Sequence, residues 1–327
     1  MQETDRNLFI HLSTMSRVWA FYNHGRKHFN RRGWLAAKPL PLEDVNLSGK
    51  VFVITGANSG IGKMLTGYLF SKGAKVYMVC RDEGRGLAAK AEIEEGPDTF
   101  GSLEVLIGDC AVASDVKRLV LELEGKEAAI DGLVCNAGAL LNSKNMTSEN
   151  VESTFACHFL NGTYLFGQLA MPLLSRSSAG RVIVVTSGGM YTSKLAPWNL
   201  CMSGGDQYDG QVAYARAKRA QVTLCEVWKD KFDATVPTVS CHPGWCLTPG
   251  VKSVYGTIGQ WFLSPLRSEW EGTAGIAWLC VCPISDLSNG ELYLDGVTQP
   301  KHLHNSTKPS DDDVEHFVTS LKNIALH

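Results

Sequence analysis

From Lys50 onward the chain alternates short apolar runs with longer amphipathic stretches. The runs at 51–55, 75–80, 103–107, 131–135, 181–186, 236–241 and 291–294 have the length of strands. Some, such as Arg181-Val182-Ile183-Val184-Val185-Thr186, are almost continuously apolar and β-branched, as expected of a strand covered on both faces. Helical stretches lie between most of them. The pattern therefore predicts an α/β chain with a doubly wound parallel sheet. Near the end, Asp311-Asp312-Asp313 supplies the acidic first turn of a further helix.

Residues 1–46 have a different character. Arg6, Arg17, Arg26, Lys27, Arg31, Arg32 and Lys38 are interleaved with Trp19, Phe21, Tyr22, Phe29 and Trp34, and the stretch from about 16 to 29 is helical in pattern. Two readings stand side by side. The helix lies on a membrane interface, its aromatic and cationic side chains in the headgroup layer, or it packs on the main body of the protein. Pro39-Leu40-Pro41-Leu42 then predicts a stiff linker. The expected organisation is an extension over 1–46 followed by one catalytic domain over 47–327.

Composition narrows the field. With 327 residues, 44% hydrophobic and 20% charged, the chain has material for one sizeable core. A net charge of -2 gives no reason to expect a nucleic-acid partner, and no uninterrupted apolar run is long enough to span a bilayer. The ten cysteines are scattered, without the paired spacing of a zinc site, so no metal is expected. As small buried hydrophobes, and without an apolar signal peptide, they point to a reducing, cytoplasmic location, with peripheral membrane contact where the first reading of residues 1–46 holds.

The sharpest local signal is Val51-Phe52-Val53-Ile54-Thr55-Gly56-Ala57-Asn58-Ser59-Gly60-Ile61-Gly62. A buried strand breaks into glycines, Gly56 for a tight turn and Gly60 and Gly62 for close approach of backbone to ligand, and a helix follows over 63–72. Backbone amides at that helix start, with its positive dipole end, suit a pyrophosphate. Further candidates sit after later strands: Asp109, Asn136-Ala137-Gly138 and Ser187. Tyr214 and Lys218, four apart, share one helix face, so the Lys218 ammonium reaches the Tyr214 phenol or a nucleotide ribose.

Taken in order, the glycine motif, Asp109, Asn-Ala-Gly, Ser187, Tyr214/Lys218 and His242-Pro243-Gly244 with Thr248 resemble the short-chain dehydrogenase/reductase family over about residues 50–300. Within it, Ser187-Gly188-Gly189-Met190, His242-Pro243-Gly244-Trp245, Thr248-Pro249-Gly250-Val251 and Leu266-Arg267-Ser268-Glu269 are similar to the SDR family member 12 group, and the retinol-dehydrogenase-like branch is the nearest one of known chemistry. The resemblance implies a Rossmann fold. It also implies a nicotinamide dinucleotide held by Gly56, Asn58, Ser59, Gly60, Ile61, Gly62, Asp109, Asn136, Ala137, Gly138, Tyr214, Lys218, Pro243, Gly244 and Thr248.

In that family Tyr214 would be the general acid or base and Ser187 would donate to the developing alkoxide, while hydride comes from the cofactor. A tyrosine of reference pKa about 10 requires a nearby positive field to act near neutrality, and Lys218 supplies it. One position departs from the family. Where an Asn supporting a relay water is common, this chain has His158, in Phe155-Ala156-Cys157-His158-Phe159-Leu160-Asn161-Gly162. His158 is either a functional substitute or a core histidine, and a residue inserted after Leu160 would displace the match.

After the second strand stands Cys80-Arg81, where NAD-using relatives carry an acidic side chain for the ribose hydroxyl. The Arg81 guanidinium suits a 2′-phosphate, favouring NADP(H) over NAD(H). Trp198, Trp245, Trp261, Phe262 and Trp270 fall in the regions that close over the cofactor in relatives, and an aromatic lid suits a lipophilic carbonyl or alcohol. The expected partners are that small molecule and, beyond it, a second copy of the chain in a homodimer. The alternative is a nucleotide-binding sensor or interaction protein that keeps the fold and scarcely turns over.

Overall fold

In the computed structural model, which describes residues 3–97, 100–232, 234–247 and 265–324, the expected alternation of strand and helix is present. Strands β1 (Val51–Thr55), β2 (Lys75–Cys80), β3 (Ser102–Ile107), β4 (Gly132–Cys135), β5 (Val182–Val185), β6 (Thr238–Cys241), β7 (Leu292–Leu294) and β8 (Val297–Gln299) form one sheet. Its order is β3-β2-β1-β4-β5-β6-β7-β8, parallel except for β8. Alternate side chains of β1 go to opposite layers. Val53 joins the core beneath α5 (Ala113–Lys126) and α6 (Phe166–Ser175), whereas Phe52 and Ile54 join the core beneath α3 (Gly60–Ser71) and α4 (Glu83–Glu94).

The later strands are shorter than their sequence runs. Val182 pairs with Thr238, and the preceding Pro237 has no N–H for the ladder, so β6 starts one residue beyond it. The hairpin between β7 and β8 was not expected. It turns on Asp295-Gly296, both at positive φ (52° and 75°), the conformation that a two-residue hairpin of this hand requires.

The N-terminal segment belongs to the fold more closely than a tethered extension would. Helix α1 (Glu3–His28) packs against the turn Gly188–Thr192, and the short α2 (Arg31–Ala36) follows, capped by the Asn30 side chain. Phe29 is fully buried among Met190, Tyr191, Trp245 and Leu294. Burying one such ring contributes about 1.5–3 kcal/mol. The prolyl stretch is not a free linker either. Leu42 is buried, its carbonyl accepts from Tyr68 Oη at 3.0 Å, and Leu40 packs against the second of the two cores.

A single side chain ties these parts together. Arg267, with no solvent exposure, donates through Nη1 and Nη2 to Asp295 Oδ1 and Oδ2 at 2.6 and 2.8 Å, through Nε to the Phe29 carbonyl at 2.9 Å, and through Nη2 to the His28 carbonyl at 2.8 Å. Its backbone pairs with Trp245, whose own N–H donates to the Phe29 carbonyl at 2.7 Å. Asp295→Asn keeps a side chain that tolerates the positive φ but leaves the guanidinium without its counter-charge. Removing one partner of a buried pair costs about 3–5 kcal/mol, so urea unfolding should show a loss of that order. A loss below about 1 kcal/mol would show that the carboxylate charge is dispensable.

Candidate active site

Between β1 and β4 the chain's crossovers diverge, β2 and β3 lying to one side and β5 to the other. In open parallel sheets that switch point opens a crevice at the carboxyl ends of the strands. Here it is a cavity of about 810 Å³. Gly56, Asn58, Ser59, Gly60, Ile61 and Gly62 line it after β1, Arg81 after β2, Asp109 after β3, and Asn136, Ala137 and Gly138 after β4. Ser187 enters after β5, Pro243 and Gly244 after β6, and Tyr214 and Lys218 from α7 (Gly210–Phe232). His158 also reaches the wall. Thr248 lies outside the described residues.

The glycine rim is shaped by contact. Gly56 adopts φ +67°, and a Cβ on Gly62 would stand 2.3 Å from the Gly56 carbonyl oxygen. No side chain fits there, so the first turn of α3 comes directly under the strand end with its amides toward the cavity. Thr55 secures the facing turn. Its Oγ1 accepts from the N–H groups of Asn136 and Ala137, each at 2.9 Å, and Asn136 Nδ2 donates to the Thr55 carbonyl at 2.9 Å. Asn136 therefore braces the two glycine-bearing loops against each other. A narrow, backbone-lined cradle at a helix N-terminus fits the pyrophosphate of a dinucleotide.

At the cradle's far rim Arg81 and Asp109 approach to 3.7 Å. Asp82 caps α4, its Oδ1 accepting from the Arg85 N–H at 2.8 Å. That cap engages one carboxylate oxygen with backbone, and Asp82 and Arg85 join Arg81 in the cavity wall. Arg85 is not singled out by the sequence pattern; it lies in the first turn of α4, four residues beyond the loop residue Arg81.

At the opposite end, Lys218 is buried and donates from Nζ to the Val185 carbonyl at 2.8 Å. The same nitrogen lies 5.5 Å from the centre of the Tyr214 ring. Burial pushes the Lys218 ammonium down to about 7, opposed in part by the thiols of Cys157, Cys241 and Cys135. Ser187 caps the turn that follows β5, its Oγ accepting from the Gly189 N–H at 3.3 Å. Its hydroxyl proton remains for an acceptor in the cavity.

His158 has a structural task in this arrangement. The run Ala156–Leu165 is π-helical, so an additional residue is accommodated in the helix just beyond His158. The loosened His158 carbonyl accepts from Thr163 Oγ1 and Gln221 Nε2, each at 2.6 Å. Its ring lies edge-on to Tyr214, centres 5.1 Å apart, and fills the space over Gly138, where a Cβ would meet it at 1.9 Å. Nε2 donates to the Ala139 carbonyl at 2.9 Å, and burial, with Lys218 nearby, pushes the imidazole down to about 3. It is thus a neutral brace between the Asn-Ala-Gly turn and Tyr214. Asn161 faces elsewhere, donating to the Ala111 carbonyl at 2.8 Å.

The aromatic lid is composed differently from the expectation. Trp198 packs on Phe155 and Phe317, and Trp270 on Tyr68, away from the cavity. Trp261 and Phe262 lie outside the described residues. Of the five, Trp245 lines the cavity among the described residues, and it is joined by Val18, Phe21 and Tyr22 from α1. Sequence reasoning missed these because nothing in a local pattern reports that a helix so far upstream lies against the residue after Ser187.

The buried amine makes a stability signature. Between pH 7 and 10 the unfolded chain keeps a proton on Lys218 that the folded chain releases, so this residue's contribution to stability improves as pH rises through that window. Lys218→Met removes the titration. Urea midpoints should show the variant gaining on the parent most at pH 7 and losing that advantage toward pH 10. A difference between the two that is constant with pH would mean that Lys218 is protonated in the fold throughout.

Comparison with known proteins agrees with this geometry. The profile of the short chain dehydrogenase family matches residues 50–258. Dehydrogenase/reductase SDR family member 12 of Bos taurus is 32% identical over 320 residues, covering 94% of this chain and 98% of the relative. Retinol dehydrogenase 12 of Bos taurus is 34% identical over 235 residues, 70% of this chain and 72% of the relative. Among solved structures, an uncharacterised protein from Mycobacterium paratuberculosis superposes with a TM-score of 0.64 at 22% identity, over 86% of this chain and 97% of its own. The RhlG/NADP complex of Pseudomonas aeruginosa gives 0.59 at 19% identity, over 76% and 94%. Profile, relatives and fold converge, and the chain belongs to the short-chain dehydrogenase/reductase family of oxidoreductases.

Proposed function

We propose that this oxidoreductase interconverts a lipophilic carbonyl and its alcohol with NADP(H), using Tyr214 as the proton donor and acceptor. The observation that carries the proposal is Lys218: an amine buried beside the Tyr214 ring and tethered to the end of β5, in the wall of a cleft whose glycine rim suits a dinucleotide. The bound nicotinamide supplies or accepts hydride. The chain's own groups do the rest. In its ammonium form, which gives way to the neutral amine as pH rises through about 7, Lys218 stabilises negative charge on the phenol oxygen, Ser187 donates to the substrate oxygen as charge grows there, and neutral His158 lies edge-on against the Tyr214 ring. His158 thus supports a working site, and nothing in its placement favours a sensor that has lost its chemistry.

Preference for NADP(H) rests on Arg81 and Arg85 in the wall and on Asp82 being engaged as a helix cap. A guanidinium pair offers forked donors to a 2′-phosphate, and Asp82, which lines the cavity between them, already gives one carboxylate oxygen to the helix cap. That relatives include retinol dehydrogenases, and a neighbour an NADP complex, supports both halves of the reading.

Tyr214→Phe removes the proton and leaves Lys218 and the glycine rim in place. Its turnover of aldehydes and ketones should fall by at least a hundredfold, while fluorescence titration still shows NADPH bound more tightly than NADH. Near-normal turnover in the variant would remove Tyr214 from the chemistry, and equal affinity for the two nucleotides would remove the 2′-phosphate contact.

We further propose peripheral contact with a bilayer through the outer face of α1. No described helix is long and apolar enough to cross a membrane. The outward face nonetheless carries Met15 and Trp19, with Trp19 71% exposed, and ends in Arg26. That combination suits an anionic interface. Because Phe29 is core, truncation would confound the test, so the measurement uses Met15→Glu with Trp19→Glu. The parent should sediment with anionic vesicles, less so at 1 M than at 0.1 M salt as the screening length falls from about 10 to about 3 Å, and the variant should stay in solution. Failure of the parent to sediment at low salt would rule the contact out.

A further inference from the structure

The family profile covers residues 50–258, yet part of the cavity wall comes from a helix that ends before it begins. Phe21 and Tyr22 of α1 meet Trp245 in a three-ring cluster. The ring centres are 5.5 Å apart for Phe21 and Tyr22, 5.9 Å for Phe21 and Trp245, and 6.2 Å for Tyr22 and Trp245, all steeply inclined rather than stacked. Such edge-to-face sets are rigid and favourable. The cluster also sits close to the chemistry. A Cβ on Gly188, the residue after Ser187, would be 3.1 Å from Phe21 Cε2, and one on Gly25 would be 2.3 Å from Trp245 Cζ2. Gly25 is therefore required for helix and indole to close together, and Gly188 keeps the contact with the Ser187 turn tight.

From this we infer that α1 builds a substrate subsite: an aromatic wall of Phe21, Tyr22 and Trp245 that receives the flat apolar body of an aryl or fused-ring carbonyl compound and directs its oxygen toward Ser187. The inference rests on the proposed carbonyl chemistry and adds to it the shape of the substrate. Val18 extends the wall, and none of the four side chains carries a charge that would favour an acidic or basic substrate. A rigid inclined set of rings offers both faces and edges to a planar guest. A short aliphatic carbonyl would leave most of that surface wet. The wall is held in register by Arg267, which fixes the Phe29 and Trp245 backbones together.

The test compares 2-acetylnaphthalene with 2-butanone in parent, Phe21→Ala, Tyr22→Ala and Phe21→Tyr proteins. In the parent, kcat/KM should favour the naphthyl ketone by at least a hundredfold. Phe21→Ala and Tyr22→Ala should lower that ratio about tenfold, mainly through KM, and Phe21→Tyr should restore most of it. Tyr22 is partly exposed, so its variant tests the wall even where loss of Phe21 perturbs folding. Calorimetric titration of 2-acetylnaphthalene into the NADP⁺-saturated proteins reads the same wall without turnover. Binding that weakens about tenfold in Tyr22→Ala, with no reduction of either ketone by the parent, would keep the subsite and sink the carbonyl chemistry. Reduction of both ketones with an unchanged ratio in the alanine variants, or no binding of the naphthyl ketone to the parent, would overturn the subsite.

Discussion

A guanidinium without access to water must find acceptors, and the structure is organised around how Arg267 finds them. Its donors take the Asp295 carboxylate and the carbonyls of His28 and Phe29. Three stretches far apart in sequence are thereby drawn to one point: the end of α1, the loop after β6, and the β7–β8 hairpin. An ion pair of this kind is weak evidence of net stability, since desolvation offsets much of the attraction. Its value is positional. It can be satisfied in one arrangement, and that arrangement sets α1 against the Ser187 turn.

The two halves of the cleft are consequently built on different principles. The nucleotide half follows from the sheet itself, where strand ends, glycines and the brace through Thr55 and Asn136 leave backbone facing the ligand. The other end adds a costly element, the buried Lys218 amine, which the Val185 carbonyl holds beside the Tyr214 ring. The half we propose for the substrate relies on side chains from outside the sheet, Phe21 and Tyr22 of α1 beside Trp245, and so depends on long-range packing.

That division also explains what was legible in the sequence. The strand runs, the Gly56–Gly62 turn, Asp109, Asn136, Ser187, Tyr214 and Lys218 are local or periodic signals, and the residues after the strand ends line a single cavity. Asp295-Gly296 was an available hairpin signal that passed unread. By contrast, Phe21 and Tyr22 fit a membrane-surface helix and a docked one equally in the sequence, because their partner Trp245 is more than two hundred residues away, and Trp198 and Trp270 fit a lid because aromatic residues serve cores equally well. His158 was ambiguous for a subtler reason. Only the π-helical turn shows that the helix has gained a residue and turned His158 into a brace over Gly138.

Whether the cleft performs reversible hydride chemistry on a carbonyl is settled most directly by isotope transfer. With NADPH deuterated at both positions of nicotinamide C4 and an aryl ketone in excess, mass spectrometry of the product should find one deuterium on the carbinol carbon, and none when the deuterium is supplied only by the solvent. An alcohol without the label, or oxidation of NADPH with no alcohol formed, would contradict the assignment of this site to carbonyl reduction.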